Sequence, residues 1–529
     1  GVQPCAPPLA SPRPSLPPAP PAARPREEWL RILEEADIPH GPILSRDEFV
    51  ADPQVRHNGM VVEVEDPLLG PTRQTGVPVW LTATPGAVAG PAPLPGQHTA
   101  AVLQELEQAP PPVATPVVSR QPSASTLPTP APGGGATDVS PGPPPPGGGG
   151  SPSSAPYQGV LIVDLAGYIA GGYASGLLAD LGATVIKVEA PQGDAFRALA
   201  PGFCGWNRGK RGVVLNLAHA RGREVLYRMV ERADAVVENY RAGVAKRLGA
   251  DYETLSAINP RLVYCSVTGY GQTGPYSGRP AFDPVLQARS GAMAAQGGDG
   301  PPVFLRVAIS DYATAMLAAW GVALGLWARH RTGRGQHLET CLLNGAMAVQ
   351  AGEFLAYPGQ PPPEYLDPYG PRADRRIYPT SDGWLFVSCA AAAQRRALLR
   401  AVGLEGWPQG DGAPLPPEAV PALEARFRAG TTAAWLERLR AAGVPCAPVR
   451  KLGELHQDPQ VAALGLVVQH DSQEYGRVQQ LGVPLAFSLT PGVAQRAAPA
   501  LGQHTDEVLQ EFGYSAAEVA ELRRQGVVA

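Results

Sequence analysis

Residues 26 to 107 can be laid on residues 432 to 513 without a gap, by a shift of 406 positions, and this internal repeat constrains the chain more than any other feature. Trp29 falls on Trp435, Asp52 to Val55 on Asp458 to Val461 (DPQV in both), Thr84 to Gly86 on Thr490 to Gly492 (TPG), and Gly96 to Thr99 on Gly502 to Thr505 (GQHT). Roughly two positions in five are identical, far beyond chance self-similarity. One full unit and one partial unit are too few for a solenoid. The N-terminal piece therefore reads as the tail of a second copy of the C-terminal domain, from a tandem fusion truncated at its front. A piece without the first half of its domain is expected to dock weakly or stay partly disordered, and residues 1 to 156 are expected to be dispensable for activity.

Proline and glycine, 61 of each, concentrate in Pro4 to Pro25 and Ala109 to Pro156. Such stretches bury too little apolar surface to offset chain entropy and read as disordered or extended. The expected organisation is a Pro-rich leader (1–25), the partial repeat (26–107), a Pro/Gly-rich linker (108–156) and the main unit (157–529), with a smaller subdomain near 378–490. A formal net charge of -4 excludes the basic excess of a typical nucleic-acid binder. The six cysteines have no CxxC spacing and the nine histidines form no H-x-x-x-H pair, so neither a disulfide framework nor a metal site is expected. No signal-peptide pattern opens the chain, and a cytoplasmic setting is the expectation. The longest apolar run, Ala313 to Ala328, falls short of the ~20 residues that span a bilayer and reads as a buried core helix, with no membrane partner.

From Gly159 onward, strand and helix signals alternate. Val160 to Leu165, Ala183 to Glu189, Ala235 to Val237 and Arg261 to Thr268 read as strands, and Tyr173 to Leu181 and Gly222 to Ala233 as helices. That alternation predicts an α/β fold with a Rossmann-like parallel sheet. Beyond Tyr378, a strand at Gly383 to Cys389 and helices at Ala391 to Val402 and Thr432 to Ala442 predict a smaller α/β domain. The GYGQTG run (Gly269, Gly271, Gly274) matches a dinucleotide fingerprint, but Pro275, Gly278 and Pro280 break the helix that must follow it, so it reads as turns. GWNRGKR (Gly205 to Arg211) lacks the spacer and hydroxyl residue of an ATP-binding loop.

The runs DLAGYIAGGYASGLLADLGATVIKVEAP, NRGKRGVVLNL, ADAVVENYRAGVAKRLG, NPRLVYCSVTGYGQTGPY and RTGRGQHLETCLLNGA, in that order, resemble the family III (CaiB/BaiF-type) CoA transferases. The resemblance runs from about Gly159 to the end. It implies a Rossmann-type large domain, a small domain and an interlocked homodimer. It also implies transfer of CoA from an acyl-CoA to a carboxylic acid, with CoA as co-substrate and no permanently bound cofactor. The family's nucleophilic carboxylate corresponds to Asp311 in RVAISDYATA. Without the resemblance, Ser310 or Asp311 would read as a helix cap.

By the same resemblance Ala170, Leu215, Asn216, Leu217, Asn239, Tyr240, Arg247, Gly269 and Tyr270 line the CoA site. Arg247 and Lys210 have an alternative reading as solvated surface charges. Two positions depart from the family pattern: Gly172 and Ala242 stand where prolines are usual. Ile169 replaces the glutamine of formyl-CoA transferases, so efficient formyl or oxalyl transfer is not expected. Two other readings remain open. A 2-methylacyl-CoA racemase would need a histidine where Phe282 precedes Asp283, and a non-catalytic CoA-binding partner would have no use for Asp311.

Overall fold

The computed structural model describes residues 24–108, 155–360, 367–407, 413–451 and 453–529. Most of the expected disordered leader and linker lies outside those residues.

The N-terminal segment supplies a hairpin, β1 (Val61–Asp66) and β2 (Gly70–Thr75), and a short strand, β3 (Trp80–Leu81). The main unit contributes β4 (Leu161–Asp164), β5 (Thr184–Glu189), β6 (Arg211–Val214), β7 (Ala235–Glu238), β8 (Val263–Thr268) and β9 (His337–Cys341). They form one seven-stranded sheet in the order β3-β9-β8-β7-β4-β5-β6, parallel throughout except for β3. Every residue of β7 and β8 is buried, which is why these strands read as continuous apolar runs rather than alternating ones. The strand order reverses direction on either side of β4. In open α/β sheets such a switch point leaves a crevice at the carboxyl ends of the strands.

The long helix Ile309–Thr332 covers one face of the sheet. Its buried stripe is mostly small residues, among them Ala315, Ala318, Gly321 and Gly325, with Val322 beside them. A methyl group at Gly321 would lie 2.8 Å from Leu338 Cδ1, and one at Gly325 would lie 2.7 Å from Val263 Cγ1. The helix therefore sits flush on β8 and β9 only because those side chains are absent. One face of the helix packs into the core, while Met316, Trp320 and Trp327 on the other are more than half exposed, so the apolar run is half buried rather than wholly so. The opposite face of the sheet is closed by the chain's end, where Val508, Leu509, Phe512, Leu522 and Val527 pack against Val213, Leu226 and Val236. A separate core at residues 373–446 joins β10 (Arg375–Pro379), β11 (Trp384–Ser388) and β12 (Cys446–Pro448) to three helices.

The N-terminal segment departs from expectation. It is part of the main core: Phe49, Val55, Met60, Val79 and Leu81 are buried in the same cluster as Val322, Leu338 and Leu343. β3 pairs antiparallel with β9, Trp80 opposite Glu339, and closes a sheet edge that would otherwise expose unpaired backbone. Gln54 Nε2 donates to the carbonyls of Tyr270 (3.0 Å) and Thr273 (2.9 Å), while Tyr276 N donates back to Gln54 Oε1 (2.7 Å). Asn58 Nδ2 donates to Tyr270 O and Asn344 Oδ1. Asp52 pairs with Arg289, both buried. The sequence pattern shows what the segment lacks, not which surface elsewhere complements it.

The repeat reappears as structure. The helix Pro53–His57 corresponds to Pro459–Ala463, and the hairpin β1–β2 to β13 (Val467–Ser472) and β14 (Gly476–Leu481), each with the same shift. The surroundings differ: Asp458 pairs with Arg450 at 2.6 Å near the surface. Asp52→Ala should lower the free energy of unfolding by about 3 to 5 kcal/mol, because it strands a buried guanidinium. Asp458→Ala, which loses a cap and an exposed pair, should cost only about 1 kcal/mol. Urea unfolding of the two variants checks the contrast.

Candidate active site

Asp311 is the third residue of the long helix, whose N-cap, Ala308, makes no side-chain cap bond. Neither Ser310 nor Asp311 caps it. Asp283, across the crevice, does: its Oδ1 accepts from Ser310 N at 2.7 Å and Asp311 N at 3.4 Å. Asp283 is the first residue of the helix Asp283–Arg289, and Gln287 one turn on donates to its other oxygen. The Gln287 amide also donates to the carbonyls of Leu305 and Val307 and accepts from Leu305 N. It thereby fixes the strap that leads into Asp311.

Burial raises the proton affinity of Asp311, and the nearby Asp283 carboxylate raises it further, so that its pKa is pushed up to about 7. A helix N-terminus favours the ionised form of a nearby acid, but the amides of Ser310 and Asp311 are already taken by Asp283. Burial therefore wins. Tyr312, the next residue, accepts a hydrogen bond from Trp206 Nε1 (3.1 Å) and meets Tyr173 edge-on at 5.3 Å. Trp206 lies against Phe196, Phe196 against Tyr168, and Tyr168 against Phe282, which directly precedes Asp283. An aromatic wall thus runs from one carboxylate's neighbour to the other's. Tyr168 holds a left-handed φ of 58°, a conformation that is uncommon for a non-glycine residue and clusters at ligand-binding loops.

The remaining candidates gather at the carboxyl ends of the parallel strands. Ala170 follows β4 and opens the helix Ala170–Asp180; Leu215, Asn216 and Leu217 follow β6; Asn239 and Tyr240 follow β7; Gly269 and Tyr270 follow β8. Asn239 fastens the first loop, donating to Gly167 O (2.7 Å) and accepting from Gly167 N (2.9 Å). Leu215 and Tyr270 are almost wholly buried, so a ligand could meet mainly their backbone. The Tyr270 carbonyl is already engaged by Gln54 and Asn58. Arg247 is exposed at the end of the short helix Val244–Arg247. Beyond β8 the chain turns through Gly271 and Gly274, both at positive φ, with no helix until Asp283, which fits the reading of GYGQTG as turns.

Lys210 overturns the surface-charge reading. It is fully buried, pairs with Asp164 at 2.8 Å, and donates to Gly172 O and Asn207 Oδ1. Burial pushes its pKa down to about 8 despite the Asp164 charge. Lys187, equally buried, donates to Ala166 O and pairs with Asp194. These ammonium groups hold the first loop from below. Among the described residues, no group of His, Cys, Asp and Glu is placed to hold a metal ion.

The raised Asp311 pKa carries a stability consequence. The unfolded carboxyl titrates near ~3.9 and the folded one near 7, so the native state holds the extra proton between those values. Stability from this group therefore falls as pH rises through that window. Asp311→Asn should shift the urea midpoint upward at about pH 8, with the gain fading towards about pH 4. An equal gain at both ends would show that ionisation is not its origin.

The sequence profile described as CoA-transferase family III matches residues 21–99 and 157–505, covering the N-terminal segment as well as the main unit. Succinate–glutarate CoA-transferase of Agrobacterium fabrum (strain C58) is 33% identical over 382 residues, spanning 68% of this chain and 96% of that protein. Human succinyl-CoA:glutarate CoA-transferase is 32% identical over 395 residues, 70% of this chain and 90% of that protein. A crystal structure of a CAIB/BAIF family protein from Brucella suis aligns with a TM-score of 0.61 at 31% identity, over 68% of this chain and 100% of that one. On the family profile, the relatives' identity and the shared fold, the chain belongs to CoA-transferase family III.

Proposed function

We propose that this CoA transferase uses Asp311 as its nucleophile to move CoA from an acyl-CoA to an acceptor carboxylate. The observation that carries the reading is a half-buried carboxylate with raised proton affinity at the head of the long helix, beside the aromatic contacts of Tyr312. A desolvated carboxylate is a stronger nucleophile than a hydrated one, and near neutral pH a large fraction of Asp311 is ionised.

The ionised Asp311 oxygen attacks the thioester carbonyl and CoA leaves as a thiolate, giving an acyl–aspartyl anhydride. The thiolate attacks the aspartyl carbonyl, releasing the donor acid and leaving an aspartyl–CoA thioester. The acceptor carboxylate attacks that thioester and again frees the thiolate, forming an acceptor–aspartyl anhydride. Attack of the thiolate on the acceptor's acyl carbon yields the new acyl-CoA and regenerates Asp311. One thioester is exchanged for another, so no nucleotide has to drive the reaction. Ala170, Leu215 to Leu217, Asn239, Tyr240, Gly269 and Tyr270 are proposed to line the CoA site through loop backbone, with Arg247 the cation for a phosphate. A cytosolic homodimer belongs to the same reading. Short dicarboxylates such as succinate and glutarate, named for several relatives, are the proposed acceptors.

Incubation with acyl-CoA and no acceptor should build up an activated acyl linkage, which hydroxylamine converts to a hydroxamate at Asp311, located by peptide mass spectrometry. Asp311→Asn should fold, bind CoA and lose nearly all turnover. Activity within roughly tenfold of the parent, about 1.4 kcal/mol of barrier, would require another nucleophile.

Ile169, buried at the start of the Ala170 helix, offers no donor to a small dianionic acid. In a panel of donors and acceptors, formyl-CoA with oxalate should therefore turn over far more slowly than the best succinate or glutarate pair. Comparable rates would count against the role given to Ile169.

A further inference from the structure

Asp164, Asp180, Glu189 and Asp194 carry buried carboxylates, and each takes a lysine or arginine. Glu238, the last residue of β7, is just as buried at 1% exposure, and among the described residues no lysine or arginine balances it. Its register partner on β8 is Ser266, whose partner on β9 is Glu339. The three side chains thus stand in a row on one face of the sheet, towards the carboxyl ends of the strands. His337, two residues before Glu339, lies on the same face and places Nε2 2.9 Å from Ser266 Oγ. No step of the transfer uses any of these groups.

A carboxylate buried without a counter-ion is costly, and burial, with Glu339 adding to it, pushes the Glu238 pKa up to about 7. The other titratable groups around it are Tyr240 on the following loop, Tyr264 and Cys265 on β8, and His337 on β9. Asp251, ahead of the helix Tyr252–Ile258, and Asp164 on β4 reach the cluster through Tyr264 and Tyr240. Burial lowers the pKa of His337, so it supplies no standing positive charge near neutral pH.

What the acids hold is the base of two loops. Glu238 Oε2 accepts from Tyr240 N at 2.7 Å, and Glu339 Oε2 from Gln272 N at 3.2 Å. These amides lie just past β7 and β8, in the loops that carry Asn239 and Tyr240 and Gly269 and Tyr270. Asn239 is in turn tied to Gly167 on the loop after β4, so holding the Tyr240 amide sets the course of two loops at once. An ionised acceptor binds an amide about twice as strongly as a neutral one. Glu238 Oε1 is buried with no hydrogen-bond partner and is the oxygen that takes the proton when the group is neutral.

Building on the CoA site proposed above, we propose that Glu238 is a positioning residue for CoA. As an ionised acceptor it holds the Tyr240 amide, and with it the loop that lines the CoA site, while Glu339 gives the loop after β8 the same support. Glu238 touches neither CoA nor the reacting atoms; it acts through the loop.

Calorimetric titration of the protein with free CoA tests this. Glu238→Ala should weaken binding about tenfold at about pH 8, since a hydrogen bond to a charged group is lost. Glu238→Gln keeps an oxygen for the Tyr240 amide and should recover most of that loss. The parent should bind about threefold more tightly than the Gln variant at about pH 8, where Glu238 is ionised, and equally at about pH 6, where it is neutral. Ionisation of Asp311 and of the CoA phosphates is common to both proteins and cancels in that ratio. If circular dichroism shows that the Ala variant does not fold, the ratio alone decides. A ratio that does not change with pH, or a folded Ala variant that binds CoA as the parent does, overturns the inference. Arg247→Ala separates this from the CoA site itself: weaker binding by that variant with Glu238→Ala unaffected removes Glu238 and leaves the site standing, whereas binding unaffected by either removes both.

Discussion

The flush seating of the long helix on β8 and β9 is the constraint on which the rest depends. With Gly321 and Gly325 facing Val263 and Leu338, the helix axis lies closer to the sheet than side chains of ordinary size would permit. That approach fixes where the helix begins, and so where Asp311 stands relative to the crevice at the strand ends. It also sets the height at which β3 must run to pair with β9 while Val79 packs into the same core. The position of the Asp311 carboxylate and the closure of the sheet are two consequences of one packing distance.

Around the crevice, charge is used as structure. Asp164 takes Lys210 and Ser175, Lys187 takes Asp194 and a loop carbonyl, and Glu189 holds Arg197. Removing two charges from water is costly, and a buried pair is weak evidence for stability in itself. Here the pairs fasten the first loop, whose Tyr168 has an unfavourable backbone conformation, between two strands. Asp283 shows the same economy: one carboxylate caps the helix through two amides and raises the proton affinity of its neighbour.

Much of this architecture was legible in the sequence. β4, β5, β7 and β8 could be read because strands buried on both faces leave uninterrupted apolar runs. β6, which begins with Arg211, and β9, which begins with His337, lack that signature, and the two residues of β3 carry no periodicity at all. Asp311 could be singled out only by resemblance, since an acid ahead of an apolar helix is ordinary capping chemistry. Asp283 was visible only as the residue after a missing histidine. Its role depends on a contact with residues 310 and 311, beyond the reach of local pattern. Lys210 misled for a related reason: composition places lysines in solvent, and only the fold shows the aspartate waiting beneath.

The N-terminal segment and the sheet edge it covers belong to the same polypeptide. Closure of that edge is thus a unimolecular event, governed by the effective concentration of a tether rather than by how much protein is present. Had the same strand come from a separate molecule, dilution would have uncovered β9 and lowered the domain's stability by mass action. Here the sheet stays complete at any concentration. Proteolysis between the segment and the main unit would convert a property of one molecule into an equilibrium between two.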